Sequence, residues 1–271
     1  MWARLMGQWR QRREDAAVAR RAIPDALWRR TLKRFPFLPP AGSPDDAALR
    51  RMSSLFLDRK EFTGAHGLVV TDDMAVAIAA QACLPVLSLG LPAYDGFVGI
   101  VVHPGLARVR RHFEDEDGVV HEQDETLSGE AVQGGPVMLS WRDVRSAGAK
   151  ASQAYNVVIH EFAHVLDMAD GMPDGVPLLP VSISATLWQD TFASAYERFC
   201  AAVDADEPTQ VDPYGAQSPD EFFAVTTEAF FVAPAGLQAE HPQVYDLLQR
   251  YFQQDPMTRL ASAGKDGAAE A

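Results

Sequence analysis

Twelve residues running from Asn156 to Asp167 contain a His-Glu-x-x-His pattern, with uncharged neighbours and no proline or glycine inside. On an α-helix, residues four apart lie on one face, a turn above each other. His160 and His164 are therefore expected to project two imidazoles toward one point, as a tetrahedral zinc ion requires. Glu161 falls at the edge of that face, placed to take a proton from a zinc-activated water without being a ligand. Tyr155, Ile159, Phe162 and Leu166 repeat at helical spacing, so the helix is expected to be buried. Ser152 is expected to cap its start, and Gly171 and Pro173 to stop it. Buried histidines need a partner, and one zinc ion per chain is the partner this spacing predicts.

The remaining composition narrows the setting. With 271 residues, 47% of them hydrophobic, the chain can bury one substantial core. The net charge is −13, yet residues 1–60 carry 14 Lys/Arg against 6 Asp/Glu. An acidic body argues against nucleic acid as a direct partner, and the basic start reads as solvated helix faces. Cys83 and Cys200 lack the spacing of a disulfide framework or a redox pair, which makes the cytoplasm the expected compartment. The opening residues are arginine-rich rather than apolar, so no secretory signal is expected. From Met74 to Tyr94 no residue is charged, but Pro85, Gly90 and Pro92 divide the run. The helix this allows, from Asp72 to Leu84, is about 18 Å long by its rise per residue. That is too short for a membrane core of about 30 Å, and a buried helix is expected instead.

An arginine-rich helix is expected over residues 1–22, a single domain over 23–257, and a disordered Ala/Gly-rich tail over 258–271. Helices are predicted from Pro24 to Phe35, from Ser43 to Arg59, and at about Ala185–Ala202, Pro219–Val232 and Pro242–Gln254. Phe97–Val102 reads as a buried strand. His112–Gly135 is acidic and glycine-spaced, so it reads as a loop with short strands. Val137–Trp141 follows Pro136 and is expected to be an edge strand, open to pairing with an extended peptide. The fold class is α+β, mainly helical around a small mixed sheet.

A catalytic zinc site usually takes three protein ligands. One arrangement supplies a histidine ten residues after the first, where this chain has Asp170. The other takes a glutamate from a second helix, and Glu221 and Glu228, seven apart, share a face of the Pro219 helix. Ser218 and Glu221 also have capping-box spacing, and Glu228 reads equally as a helix-surface carboxylate, so spacing alone leaves the choice open. Asp167, a turn beyond His164, is placed to orient a ligand imidazole as neighbouring carboxylates do, though a surface role fits its position as well. Tyr214, between Pro213 and Gly215, reads as a turn residue.

Several separate stretches, in order, resemble the Mlc titration factor A family of bacterial zinc metallopeptidases, over roughly Ile23 to Pro256. They include the segments Ile23–Trp28, Lys60–Gly67, Ala79–Pro85, His121–Glu130, His160–His164 and Gln253–Pro256. The resemblance implies a zincin-like domain with zinc held by His160, His164 and Glu221, and with Tyr214 facing the metal. It further implies a cytosolic, aminopeptidase-like activity on small peptide substrates. An Mlc-like transcriptional repressor is implied as partner, linking the chain to regulation of the sugar phosphotransferase system. Two functions follow as expectations. One is zinc-dependent peptide hydrolysis, with Glu161 as general base, Tyr214 at the oxyanion and Glu228 a lesser candidate behind the ligands. The other is a binding protein that sequesters a repressor around a structural or vestigial zinc site.

Overall fold

Short polar side chains open many of the helices. Ser43, Thr71, Asn156 and Ser184 each accept from a backbone amide two or three residues on, satisfying donors that a helix start leaves unpaired. The computed structural model describes residues 2–114 and 120–260. In chain order these form α1 (Trp2–Arg20), α2 (Asp25–Arg34), α3 (Pro44–Arg59), β1 (Glu61–Gly64) and α4 (Asp72–Cys83). Next come β2 (Gly99–His103), β3 (Ala107–Glu114), β4 (Val120–Leu127), β5 (Gly129–Ala131), β6 (Val137–Ser140) and α5 (Trp141–Ser146). The chain continues with α6 (Val157–Asp167), α7 (Ala185–Asp204), α8 (Pro219–Val232), α9 (Pro234–Glu240) and α10 (Pro242–Phe252). The architecture is α+β and mainly helical, as expected.

One sheet has the order β1-β2-β6-β5, its first three strands parallel and β5 antiparallel to β6, with Gly129 opposite Leu139. This corrects the expectation of an edge at Val137–Trp141. Strand β6 bonds to β2 on one side and β5 on the other, and Trp141 already belongs to α5. Pro136 stands just outside the strand, so its missing N–H removes no ladder bond. The free edge beside β6 belongs to β5. The segment His112–Gly135, expected as a loop with short strands, holds the end of β3 and all of β4 and β5. Strands β3 and β4 are longer than expected at eight residues each, paired antiparallel from Ala107 opposite Leu127 to Glu114 opposite Val120. The charged sequence hides their length, because apolar alternation is what marks a strand. The short β1 and α9 also carry too little pattern to be read in advance.

Two helices are locked into the core by aromatic side chains. Phe162 of α6 packs against Phe56, Tyr94 and Phe97, with ring centroids 4.9 to 5.7 Å apart. Along α8 every residue from Phe222 to Val232 is buried, and its rings meet Trp188, Phe199, Tyr245 and Phe252. Burying one such side chain contributes roughly 1.5–3 kcal/mol, so sliding either helix is costly. The uncharged run starting at Met74 is explained by α4, whose residues Val76 to Cys83 are all buried. Among the described residues no helix is long and apolar enough to cross a membrane. Helix α1 lies against α3 through Arg20–Asp58 and Arg51–Asp15 contacts of 3.0 and 2.9 Å. Of the expected tail, residues 258–260 continue a helical turn in which Arg259 is buried; the rest lies outside the described residues.

Candidate metal centre

The start of α6 is fixed by Asn156 rather than by the expected Ser152, which lies in a 3-10 turn one segment earlier. The Asn156 side-chain oxygen accepts from the amides of Val158 and Ile159, both at 3.1 Å. Its amide nitrogen donates to Gln81 Oε1 on α4 at 2.9 Å. Its backbone N–H donates to Glu228 Oε2 on α8. The other Glu228 oxygen lies 2.7 Å from His160 Nδ1. One buried carboxylate thus holds both the helix start and the first histidine ring, which orients the ring's Nε2 outward.

That Nε2 stands 3.2 Å from His164 Nε2, and Glu221 Oε2 lies 3.0 and 3.4 Å from the two. Ligand atoms about 2.0–2.1 Å from a tetrahedral zinc would be roughly 3.3 Å apart, so the three atoms already have the spacing of such a site. Glu221 Oε2 is buried and has no properly formed hydrogen bond. A buried anionic oxygen facing two ring nitrogens suits a cation. The donor set fits zinc. Among the described residues, His160, His164 and Glu221 are the group of three that could hold a metal.

The capping alternative for Glu221 fails, because Ser218 makes no side-chain cap bond at the start of α8. Burial raises the Glu221 carboxyl, but the adjacent imidazoles outweigh it and hold the group at about 2. For His160 burial acts downward, yet Glu221 and Glu228 on either side carry it well above its ordinary value. A cation binding there therefore competes with a proton for the ring. Glu161 is 4% exposed, and burial pushes its carboxyl up to about 7 against the pull of both histidines. It lies against Gly129 on β5. A Cβ there would stand 2.3 Å from Glu161 Oε1, so only glycine lets the strand and the carboxylate come this close.

Tyr214 sits in a 3-10 turn, Pro213–Gln217, where Asp212 accepts from its backbone amide at 2.9 Å. The turn is seated on α8, for a Cβ on Gly215 would come within 2.5 Å of Val225. The tyrosine is 37% exposed, and its ring centroid lies 6.0 Å from that of His160. With Ser128, Gly129, Tyr155, Glu161 and His160 it lines a cavity of about 250 Å3. Asp167 is fully buried, and burial raises its carboxyl to about 7. The Gly175 amide offsets a little of this, but neither oxygen closes a hydrogen bond, to His164 or to any other donor. Asp170 is exposed, with a carboxylate that accepts from the Met172 amide, away from the ligand group. Sequence reasoning passed over Gly129, Asn156 and Gln81. Only Asn156 carried a usable signal, as a helix-capping type directly before the apolar run.

A sequence model described as glucose-regulated metallo-peptidase M90 matches residues 6–253. The chain belongs to this metallopeptidase family. The match begins well before Ile23 and takes in most of α1. A protein named Mlc titration factor A from Pectobacterium atrosepticum is 35% identical over 84% of this chain and 86% of its own. Another of that name from Yersinia pestis is 34% identical over 87% of each chain. An uncharacterized protein of Synechocystis is 37% identical over 83% of this chain and 82% of its own. Membership of the M90 family implies a metal, and the three donors above are where this chain would hold it.

Proposed function

We propose that the chain is a zinc-dependent peptidase that hydrolyses peptide bonds between β5 and α6. The observation that carries this reading is a buried carboxylate, Glu161, lying beside the three-donor set without belonging to it. A structural metal site has no use for such a group, whereas hydrolysis needs a base. Bound zinc would activate water and polarise the substrate carbonyl. Glu161, poised near neutrality, would take the proton and pass it to the leaving amine. Glu228 would keep the His160 ring oriented. Tyr214 would donate to the developing oxyanion. The substrate would lie along the free edge of β5, pairing backbone to backbone. Aminopeptidase-like turnover of small substrates in the cytoplasm is part of the proposal, and it rests on the resemblance.

A second reading is supported by the relatives named Mlc titration factor A. In it the chain also binds an Mlc-like repressor, and the two roles are compatible. The test combines metal analysis, hydrolysis of aminoacyl and peptide substrates, and binding to a purified repressor of that kind. One zinc per chain, lost in His160→Ala and His164→Ala together with turnover, is the expected result. A protein that binds the repressor but cleaves nothing when zinc-loaded leaves only the second reading.

A further inference from the structure

Beyond the metal, β5 and α6 continue side by side. Gly129 lies against Glu161, and three residues on, past the end of β5, comes Val132. At about 3.3 Å per strand residue that is a step of roughly 10 Å. Along the helix, Val165 and Met168 follow Glu161 at spacings of four and seven and so share its face. At 1.5 Å per residue, Met168 is also about 10 Å further along. Strand and helix therefore arrive together at a groove of about 680 Å3 lined by Val132, Val165, Met168, Leu178, Leu179 and Tyr251. Among the described residues lining it, Asp170 is the one acidic or basic side chain. Val132 and Leu178 are 44% and 61% exposed, leaving apolar surface open to water.

We propose that this groove is a subsite for an apolar side chain about three residues to the amino-terminal side of the cleaved bond. Its ligand is a peptide whose chain continues in both directions from that bond. The inference rests on the peptidase reading above and extends it beyond aminopeptidase-like cleavage, which leaves nothing on that side past one residue. The direction follows from the sheet. Antiparallel pairs predominate, and a peptide antiparallel to β5 runs toward its own amino end as β5 runs from Gly129 to Val132. The chemistry follows from the lining: leucine-like side chains are favoured, and acidic ones are opposed by burial and by Asp170.

The test uses zinc-loaded protein and acetyl-Xaa-Ala-Ala hydroxamates, whose hydroxamate anchors at the metal and places Xaa third from it. Acetohydroxamate serves as the anchor-only reference on each protein. The leucine probe is expected to bind at least tenfold more tightly than the aspartate probe. In Leu178→Asp and in Val132→Asp that preference should fall at least fivefold, while a lysine probe gains. Val181→Asp, fully exposed and outside the groove, should keep the parent preference. A parent without preference, or one retained in both groove variants, overturns the inference. Parent protein that fails to bind acetohydroxamate overturns the metal site and the inference with it. A parent that shows the leucine preference yet cleaves no peptide upholds the subsite and overturns the peptidase reading alone.

Discussion

Tyr214 and Asp167 pose opposite problems for single-residue reasoning. From its own neighbours the tyrosine reads as a turn residue, and the family resemblance alone put it at the metal, because its approach to His160 depends on how Gly215 seats the turn on α8. If its phenol donates to the oxyanion, Tyr214→Phe should retain zinc and lower kcat by roughly 10²–10³ with KM little changed. Steady-state kinetics beside metal analysis checks this; a raised KM alone would make the residue a substrate contact. Asp167 is buried at about 7 from an ordinary 3.8. The folded chain therefore keeps a proton that the unfolded chain releases, and the resulting loss of stability grows as pH rises from about 4 to about 7. Asp167→Asn should remove that slope and stabilise metal-free protein at pH 8 by roughly 2–4 kcal/mol. Denaturant titrations at pH 5, 7 and 8 measure it, and an equal effect at all three would assign the change to packing. Glu161→Gln should keep zinc and lose turnover by at least about 100-fold, since it removes a base but no ligand; unchanged turnover with zinc bound would assign proton transfer elsewhere.

Among the elements, α6 and α8 were readable because each is a long apolar run, with histidines or glutamates repeating at helical spacing. The choice between Glu221 and Glu228 was not, since spacing puts both on one face. The structure separates them by which ring atom each meets: Glu221 faces Nε2, and Glu228 faces Nδ1. Strand β5 was hidden for a different reason. Three residues carry no alternation to detect, and the importance of Gly129 comes from what packs on it. Gly129→Ala should displace the Glu161 carboxylate or the strand, given the 2.3 Å approach. The expected outcome is retained zinc and turnover reduced by about tenfold or more, read by metal content and kinetics, because a 1 Å misplacement of a catalytic group is costly. Full activity would show that the strand moves aside without consequence.

For the whole molecule, metal should act as a folding ligand, since an unfolded chain cannot keep three donors from two helices together. Stabilisation follows the ratio of free zinc to its dissociation constant and reaches about 4 kcal/mol at a thousandfold excess. Chelation should therefore lower Tm by several degrees at neutral pH, and by less at acid pH, where His160 holds its proton more firmly. An unchanged melting curve after verified zinc removal would contradict a site of this strength. Helical content and the core were legible at this scale from apolar periodicity. The sheet order was not, because pairing between distant segments leaves no local mark.

The Asn156 knot also sets a schedule for synthesis. Its bonds reach 75 residues back to Gln81 and 72 forward to Glu228, so they close late, after long loops have been ordered. On the ribosome, His160, Glu161 and His164 emerge well before α8 exists. Until then the first ring lacks its Glu228 anchor, and the metal lacks Glu221. On the peptidase reading, a nascent chain carrying the motif therefore lacks a complete site until α8 has been made, within its last third.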